Sequence, residues 1–295
     1  METILSLTGR NIYMYLKDRG AVFFSMLSVL MIFMLYILFL AKMNIDSVAG
    51  MIPIDRKTIA YLVNSWVMGG IIVVNSVTVT LGVLGTMVED EAKNRMQAFL
   101  VSPVSRFRIT MGYILSAFSI GNFICTIVFI LSQIYIAADG GSILCLSQML
   151  QVIGIIFIST FSSTCFVFFL VSFIRTMNTF TTVSILIGST IGLIAGIYVP
   201  IGVLPDAVQK FMKCLPVFYD SALMRNVFMT KPVSIVFKGA PAQMVSGYLE
   251  SMGVNITWGG SSVPGGAQVA IVLLSGVVFL ILSALAMRRR RTVRI

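Results

Sequence analysis

Apolar residues fall along this chain in six long runs, near Ala21–Ala41, Tyr61–Met87, Phe107–Ala137, Gln148–Ile174, Thr179–Val199 and Ala267–Met287. Each is long enough for a helix to cross the ~30 Å hydrocarbon core of a bilayer, which takes about 20 residues. The stretch "VEDEAKNRMQAFLVSPVSRFRI" between the second and third runs breaks the pattern. Its acids Glu89, Asp90 and Glu91 come first, and Lys93, Arg95, Arg106 and Arg108 follow. Read as a helix, Ala92, Met96, Phe99 and Leu100 form one apolar stripe. Glu89 with Lys93, and Glu91 with Arg95, stand four apart in the favourable acid-first order. Ser102 can cap a following helix and Pro103 can take its first position. The pattern predicts a short amphipathic helix over 88–104, lying on the membrane surface and turned sharply into the third span.

A second amphipathic stretch follows the fifth run. Val208, Met212 and Leu215 line one side, with Gln209, Lys210 and Lys213 opposite, and Pro200, Pro205 and Pro216 punctuate it. This spacing predicts a helix in the outer interface. Lys231 to Gly266 reads as a long external connection whose Gly- and Ser-rich end is flexible. The expected fold is an all-α integral membrane protein, a single transmembrane domain over residues 1–295. It has six transmembrane helices, an interfacial helix in 1–20, an external segment at 200–230, a loop at 231–266 and a basic tail at 288–295.

Composition agrees with this plan. The chain is 58% hydrophobic and 11% charged, whereas a soluble domain carries roughly 25% charged residues. It contains no histidine, which excludes histidine-based proton transfer, phosphotransfer and metal ligation. Cys125, Cys145, Cys165 and Cys214 lack metal-site spacing. The net charge of +10 does not point to nucleic acid. Arg288, Arg289, Arg290, Arg291 and Arg294 follow the last apolar run, where they face anionic lipid and fix topology. The first apolar run begins only at Ala21, after a mixed polar segment, unlike a cleavable signal peptide. With the N-terminus inside, thirteen Lys and Arg fall on the cytoplasmic side, crowded at span ends, and eight fall outside. Both termini are therefore expected in the cytoplasm. The apolar runs hold no carboxylate or lysine at their centres, so no ion-coupling group is expected. There is no G-x-x-x-x-G-K-[ST] loop to hold ATP.

Polar residues do occur within the runs. Asn75, Ser76, Thr78 and Thr80 lie at membrane depth in the second, with Ser76 and Thr80 on one face and Thr78 nearer the opposite one. Each needs a partner there. Gly69, Gly70, Gly82 and Gly85 permit close helix approach. Thr182 and Ser189 offer similar groups in the fifth run. Two readings stand: helix–helix packing, or the lining of a translocation path between two copies. The charged segment likewise has two readings: a linker between spans, or a helix that docks on a cytoplasmic ATPase.

The stretch from Val88 to Ile109 resembles the first cytoplasmic loop of ABC-2-type exporter permeases, with Glu91, Arg95, Phe99-Leu100 and Ser102-Pro103-Val104-Ser105-Arg106 matching. Met96-Gln97 stand where that family commonly has Gly-Thr. "LTGRNIYMYLKDRGAVFFSML" is similar to the family's N-terminal interfacial helix, with Lys17-Asp18-Arg19 before span one. "YVPIGVLPDAVQKFMKCLPVFYDSALMRNVF" resembles its external re-entrant segment, with Leu215-Pro216-Val217-Phe218-Tyr219 and Arg225 in the matching places, without the usual asparagine. The resemblance implies a coupling helix whose ATPase-docking residues are Glu89, Glu91, Lys93, Arg95, Met96, Phe99 and Leu100. It implies a path walled by spans two and five, and an external gate at Pro200, Pro205, Pro216 and Tyr219. The implied partners are cytoplasmic ABC ATPase subunits, which bind ATP and magnesium, and a second permease copy or paralogue. This chain itself would be neither enzyme nor cofactor carrier. The implied function is export of an amphipathic antimicrobial, drug, peptide or lipid-like substrate across a bacterial plasma membrane. Export of a polysaccharide or teichoic-acid-type polymer is an alternative, and a non-transporting scaffold or sensor is one of another class.

The distribution of Lys and Arg sets a labelling pattern. In a cysteine-free background, Lys93→Cys and Arg175→Cys should be protected from an impermeant thiol reagent in intact cells. Lys42→Cys, Asp139→Cys and Lys238→Cys should react. Labelling at position 93 from outside would overturn the orientation.

Overall fold

The computed structural model describes residues 2–20, 22–23, 31, 33–42, 45–46, 55–93, 95, 104–258 and 261–289. The chain opens with helix α1 (Glu2–Lys17), followed by a π-helical turn at Tyr36–Leu40. Four long helices come next: α2 (Arg56–Ala92), α3 (Arg106–Ala138), α4 (Leu146–Val171) and α5 (Met177–Ile194). After a 3₁₀ turn at Ile201–Val203 come α6 (Asp206–Lys213), α7 (Pro216–Val236) and α8 (Ala242–Ser251). Two short strands, β1 (Thr257–Trp258) and β2 (Ser261–Ser262), pair antiparallel with Trp258 opposite Ser261, and α9 (Gly265–Arg289) follows. Helices α2, α3, α4, α5 and α9 are the five among the described residues that are long and apolar enough to cross a membrane. Within the first expected span, Ala21–Ala41, residues 21, 24–30 and 32 lie outside the described residues; Phe33, Tyr36 and Ala41 pack in the core.

Helix α2 is the axis of the fold. It packs against α3, α4, α5 and α7, while α9 flanks α4 and α7, and α1 lies on α3. Its 37 residues make a rod of roughly 55 Å at 1.5 Å per residue, longer than the ~30 Å apolar core of a bilayer. It starts before Tyr61 and continues past Met87, so Glu89, Asp90 and Glu91 form its last turn, closed by the Lys93 N–H on the Glu89 carbonyl. The separate helix expected to begin at residue 88 therefore begins as the end of α2. Nothing in the sequence breaks the helix at Met87, and Val88 and Asp90 are buried. Residues 96–103 lie outside the described residues.

Helix α5 ends at Ile194, short of the expected Val199, although apolar residues continue. Gly196 turns the chain with φ +66°, and the Ile197 N–H donates back to the Gly192 carbonyl at 3.0 Å. That left-handed closure terminates a helix whatever the hydropathy beyond it.

The connection expected at 231–266, with a flexible Gly- and Ser-rich end, carries regular structure. Its first residues complete α7, its middle forms α8, and Ser261 and Ser262 belong to the hairpin. Apolar anchors hold it down: Met252, Val254 and Ile256 are buried, and the Trp66 indole N–H donates to the Met252 carbonyl at 2.8 Å. The Trp258 indole N–H donates to the Tyr219 hydroxyl at 2.8 Å, and Lys213 Nζ to the Thr257 carbonyl at 3.0 Å.

Close approach of α2 to α7 and to α5 depends on missing side chains. A Cβ on Gly70 would meet Ile197 Cγ1 at 2.8 Å and Arg225 Nη2 at 3.0 Å, and one on Gly85 would meet the Phe180 ring at 2.9 Å. Gly82, expected to serve the same purpose, has no atom within 4 Å of its would-be Cβ. Gly70→Val should therefore cost about 1–3 kcal/mol through overpacking, read as a lowered melting temperature in lipid or detergent. Gly82→Ala should leave it unchanged or slightly raised. Equal melting of Gly70→Val and the parent would contradict the packing.

Candidate functional site

Helix α7 carries two ionisable side chains into the core. Arg225 is 1% exposed. Its Nε donates to the Trp66 carbonyl at 3.3 Å and its Nη2 to the Gly196 carbonyl at 2.9 Å. The guanidinium lies 4.5 Å from the Trp66 ring centre. Carbonyl dipoles and a ring face thus receive this cation where no carboxylate does. The space exists because Gly69 and Gly70 present no side chain to it.

Asp220, five residues earlier, is 0% exposed, and among the described residues neither carboxyl oxygen has a hydrogen-bond partner. The Ser159 hydroxyl of α4 lies near it and favours its ionised form, without a hydrogen bond of ordinary geometry. Burial raises the Asp220 carboxyl well above the ordinary carboxylate range. Ser159 belongs to a buried hydroxyl cluster. Ser76 Oγ of α2 lies 3.2 Å from Ser159 Oγ and 2.8 Å from Ser163 Oγ, and donates to the Val73 carbonyl at 2.8 Å. The cluster fastens α2 to α4 beside the enclosed acid.

Each end of α2 carries a further polar knot. At its Ala92 end, Asp90 is 2% exposed. It accepts from the Tyr113 hydroxyl of α3 at 2.7 Å, from Arg10 Nη2 of α1 at 3.2 Å and from Arg95 Nη1 at 3.3 Å. One carboxylate thus joins the amphipathic N-terminal helix, two long helices and the start of the charged segment. At the Arg56 end, Asn64 donates to Asp139 Oδ2 at 2.6 Å and accepts from the Tyr36 hydroxyl at 2.6 Å.

A family model described as ABC-2 family transporter protein matches residues 55–285, from the start of α2 nearly to the end of α9. The chain belongs to that family. Comparison with curated proteins gives no match. As an ABC-2 member the chain is the membrane subunit of an ABC transporter, and an ABC ATPase is its partner.

The ABC-2 residues singled out in the sequence fall in four places. Asn75, Ser76 and Thr80 are buried inside the chain: Ser76 meets Ser159 and Ser163, and Thr80 bonds the Ser76 carbonyl at 2.7 Å. Thr78 lies on the other face, half-buried, in line with exposed Gly82 and half-buried Thr86. Thr182 and Ser189 are exposed on α5. The α2 core residues and the α5 residues are thus not brought to one surface; Thr78 alone of the α2 set reaches the outside of the chain. Of the docking residues, Glu89 pairs with Lys93 at the end of α2, Arg95 reaches Asp90, and Glu91 is half-buried. Met96, Phe99 and Leu100 lie outside the described residues. Pro200 precedes the 3₁₀ turn, Pro205 precedes α6, Pro216 begins α7, and Tyr219 is buried against Trp258.

The sequence reading passed over Asp90 as a structural tie and Asp220 altogether. A signal for Asp220 was present in "FYDSALMR": an acid and a base five apart among small and apolar residues. The Asp90 knot sets an expectation. Asp90→Ala orphans the buried Tyr113 hydroxyl, which costs about 1–3 kcal/mol, and removes the link from Arg10 to α2. Hydrogen exchange in α1 should rise, with lowered thermal stability. Glu89→Ala, which removes only an exposed pair, should change stability by less than ~0.5 kcal/mol. Unchanged exchange in α1 of Asp90→Ala would refute the tie.

Proposed function

We propose that this ABC-2 chain is the permease of an ATP-driven exporter in a bacterial plasma membrane, carrying an amphipathic substrate outward. The family match over residues 55–285 is the observation that carries this reading. Residues 21–41 supply the sixth span, both termini and the Ala92 end of α2 are cytoplasmic, and the segment with α6 and α8 is external. Two ATPase subunits bind ATP and magnesium. They dock on the charged segment, with Met96, Phe99 and Leu100 filling a groove and Glu89, Glu91, Lys93 and Arg95 setting orientation. The partly exposed charges at the end of α2 support that role, since they project beside a helix end already tied to α1 and α3.

A second copy of the chain, or a paralogue, completes the path. Thr78, Gly82 and Thr86 of α2 reach the surface in line, and α5 is mostly exposed, with Thr182 and Ser189 among Ile185 and Leu186. Hydroxyls interleaved with aliphatic side chains suit a substrate with both polar and apolar parts. Ser76 instead fastens α2 to α4 within each copy, while Asn75 and Thr80 bond their own helix. Pro200, Pro205, Pro216 and Tyr219 shape the external gate above the path.

The test reconstitutes the chain with its ATPase in vesicles and follows ATP-dependent movement of fluorescent amphiphiles. The chain alone should show no ATP turnover. Removal of a buried apolar anchor at an interface costs more than ~2 kcal/mol, roughly thirtyfold in affinity. Phe99→Asp should therefore release the ATPase or uncouple its turnover from transport, with insertion unaffected, while Lys93→Ala does much less. Transport by Phe99→Asp at the parental rate would leave the segment as a mere linker.

A further inference from the structure

Asp220 has no counterpart in the exporter reading. It is fully enclosed where α7 packs against α2, α4 and α9, and among the described residues both carboxyl oxygens lack a hydrogen-bond partner. A buried ionised carboxylate without donors or a countercharge costs far more than a neutral carboxyl. The surrounding elements supply neither. Helix α2 carries no charged residue between Lys57 and Glu89, α3 none between Arg108 and Asp139, α4 none, and α9 none before Arg288. On α6, Lys213 reaches the Thr257 carbonyl, and Asp206 and Lys210 are exposed. On α7 itself, Lys231 is exposed and Arg225 is committed to Trp66 and Gly196. Ser159 is the polar group left to act on Asp220, and it belongs to the cluster with Ser76 and Ser163.

We propose that Asp220 is a proton-binding site, occupied when α7 is seated between α2 and α4 and vacated when α7 withdraws. The carboxylate takes a proton from water, one O–H bond forms, and the same proton returns to water on withdrawal. Seating of α7 is thereby linked to proton uptake, so acid favours the packed arrangement and alkali loosens it. The linkage is a property of this chain alone and holds whichever substrate, direction or ATPase partner the transporter has.

The sign of the pH effect is fixed by proton counts. In the unfolded chain Asp220 titrates near ~3.9. The packed chain keeps the proton to higher pH, so between the two values it binds more protons than the unfolded chain. Stability then falls as pH rises through that window and levels off above it.

The experiment uses the full chain in lipid nanodiscs, with infrared absorption and thermal unfolding followed across pH. Wild type should show a protonated-carboxyl C=O band at neutral pH that Asp220→Asn lacks. Its melting temperature relative to Asp220→Asn should decline with rising pH above the ordinary carboxylate range, because asparagine supplies a permanently neutral isostere. Ser159→Ala should move the midpoint of the band's titration upward, since the hydroxyl that favours the ionised form is gone. A merely structural serine would lower stability without moving that midpoint. Two results would overturn the site. One is identical infrared spectra of wild type and Asp220→Asn at neutral pH. The other is a wild-type carboxylate band accompanied by sodium-dependent stabilisation that Asp220→Asn abolishes, which would assign the group to a metal ion. Neither readout depends on transport, so failure here is separable from failure of the exporter reading.

Discussion

The seating of Arg225 on Trp66 is the interaction on which the rest of the molecule depends. Desolvating a guanidinium costs several kcal/mol, and the fold offsets this with two carbonyls and an aromatic face brought from separate elements. Gly196 can offer its carbonyl because the left-handed turn after α5 brings it there. Trp66 is used on three sides: its carbonyl and ring receive Arg225, and its indole N–H holds Met252. One residue of α2 therefore fixes α7, the end of α5 and the segment after α8 together. Loss of any of these would leave a buried cation or an unpaired indole, so they assemble as a unit.

Helix α2 extends that arrangement to both ends of the molecule. Its length has no proline in it, and its side chains are almost wholly enclosed between Ile59 and Val88. Several polar side chains within this length donate to their own helix. Asn75 donates to the Ile71 carbonyl, and Thr80 to that of Ser76. Such bonds leave the helix intact as a rod. The knots at Asp90 and Asn64 lie at its two ends, and α7 joins it in between. A displacement imposed on the Asp90 end is therefore carried as a rigid-body motion rather than absorbed in a hinge.

The long apolar helices were legible in the sequence because lipid demands a length that periodicity cannot disguise. Their ends were less so. Hydropathy runs on through Ile197 and Tyr198, but Gly196 stops α5; charge begins at Glu89, but α2 continues to Ala92. The packing role of Gly69, Gly70 and Gly85 was readable, and that of Gly82 was misread, because spacing alone does not say which face meets a neighbour. The opposition of Thr78 to Ser76 and Thr80 followed from helical geometry and is seen. What could not be read was depth. Pro216 to Val236 carries Asp220, Arg225 and Lys231, so composition placed it among the external segments. Only contact with the serines and glycines of α2 and α4 shows that its first turns are core.

Two aspartates of this chain show how one side chain takes opposite structural duties. Asp90 is met by two guanidinium groups and a phenolic hydroxyl, and these donors hold separate elements together through it. Asp220 is equally enclosed but, among the described residues, meets neither cation nor bonded donor. The same physics that makes Asp90 a tie leaves Asp220 stable only without its charge. A group of that kind adds nothing to cohesion that an apolar residue of its size would not supply better. Its presence beside a serine cluster, on a helix already anchored by Arg225, is what the proposed proton linkage of α7 would account for.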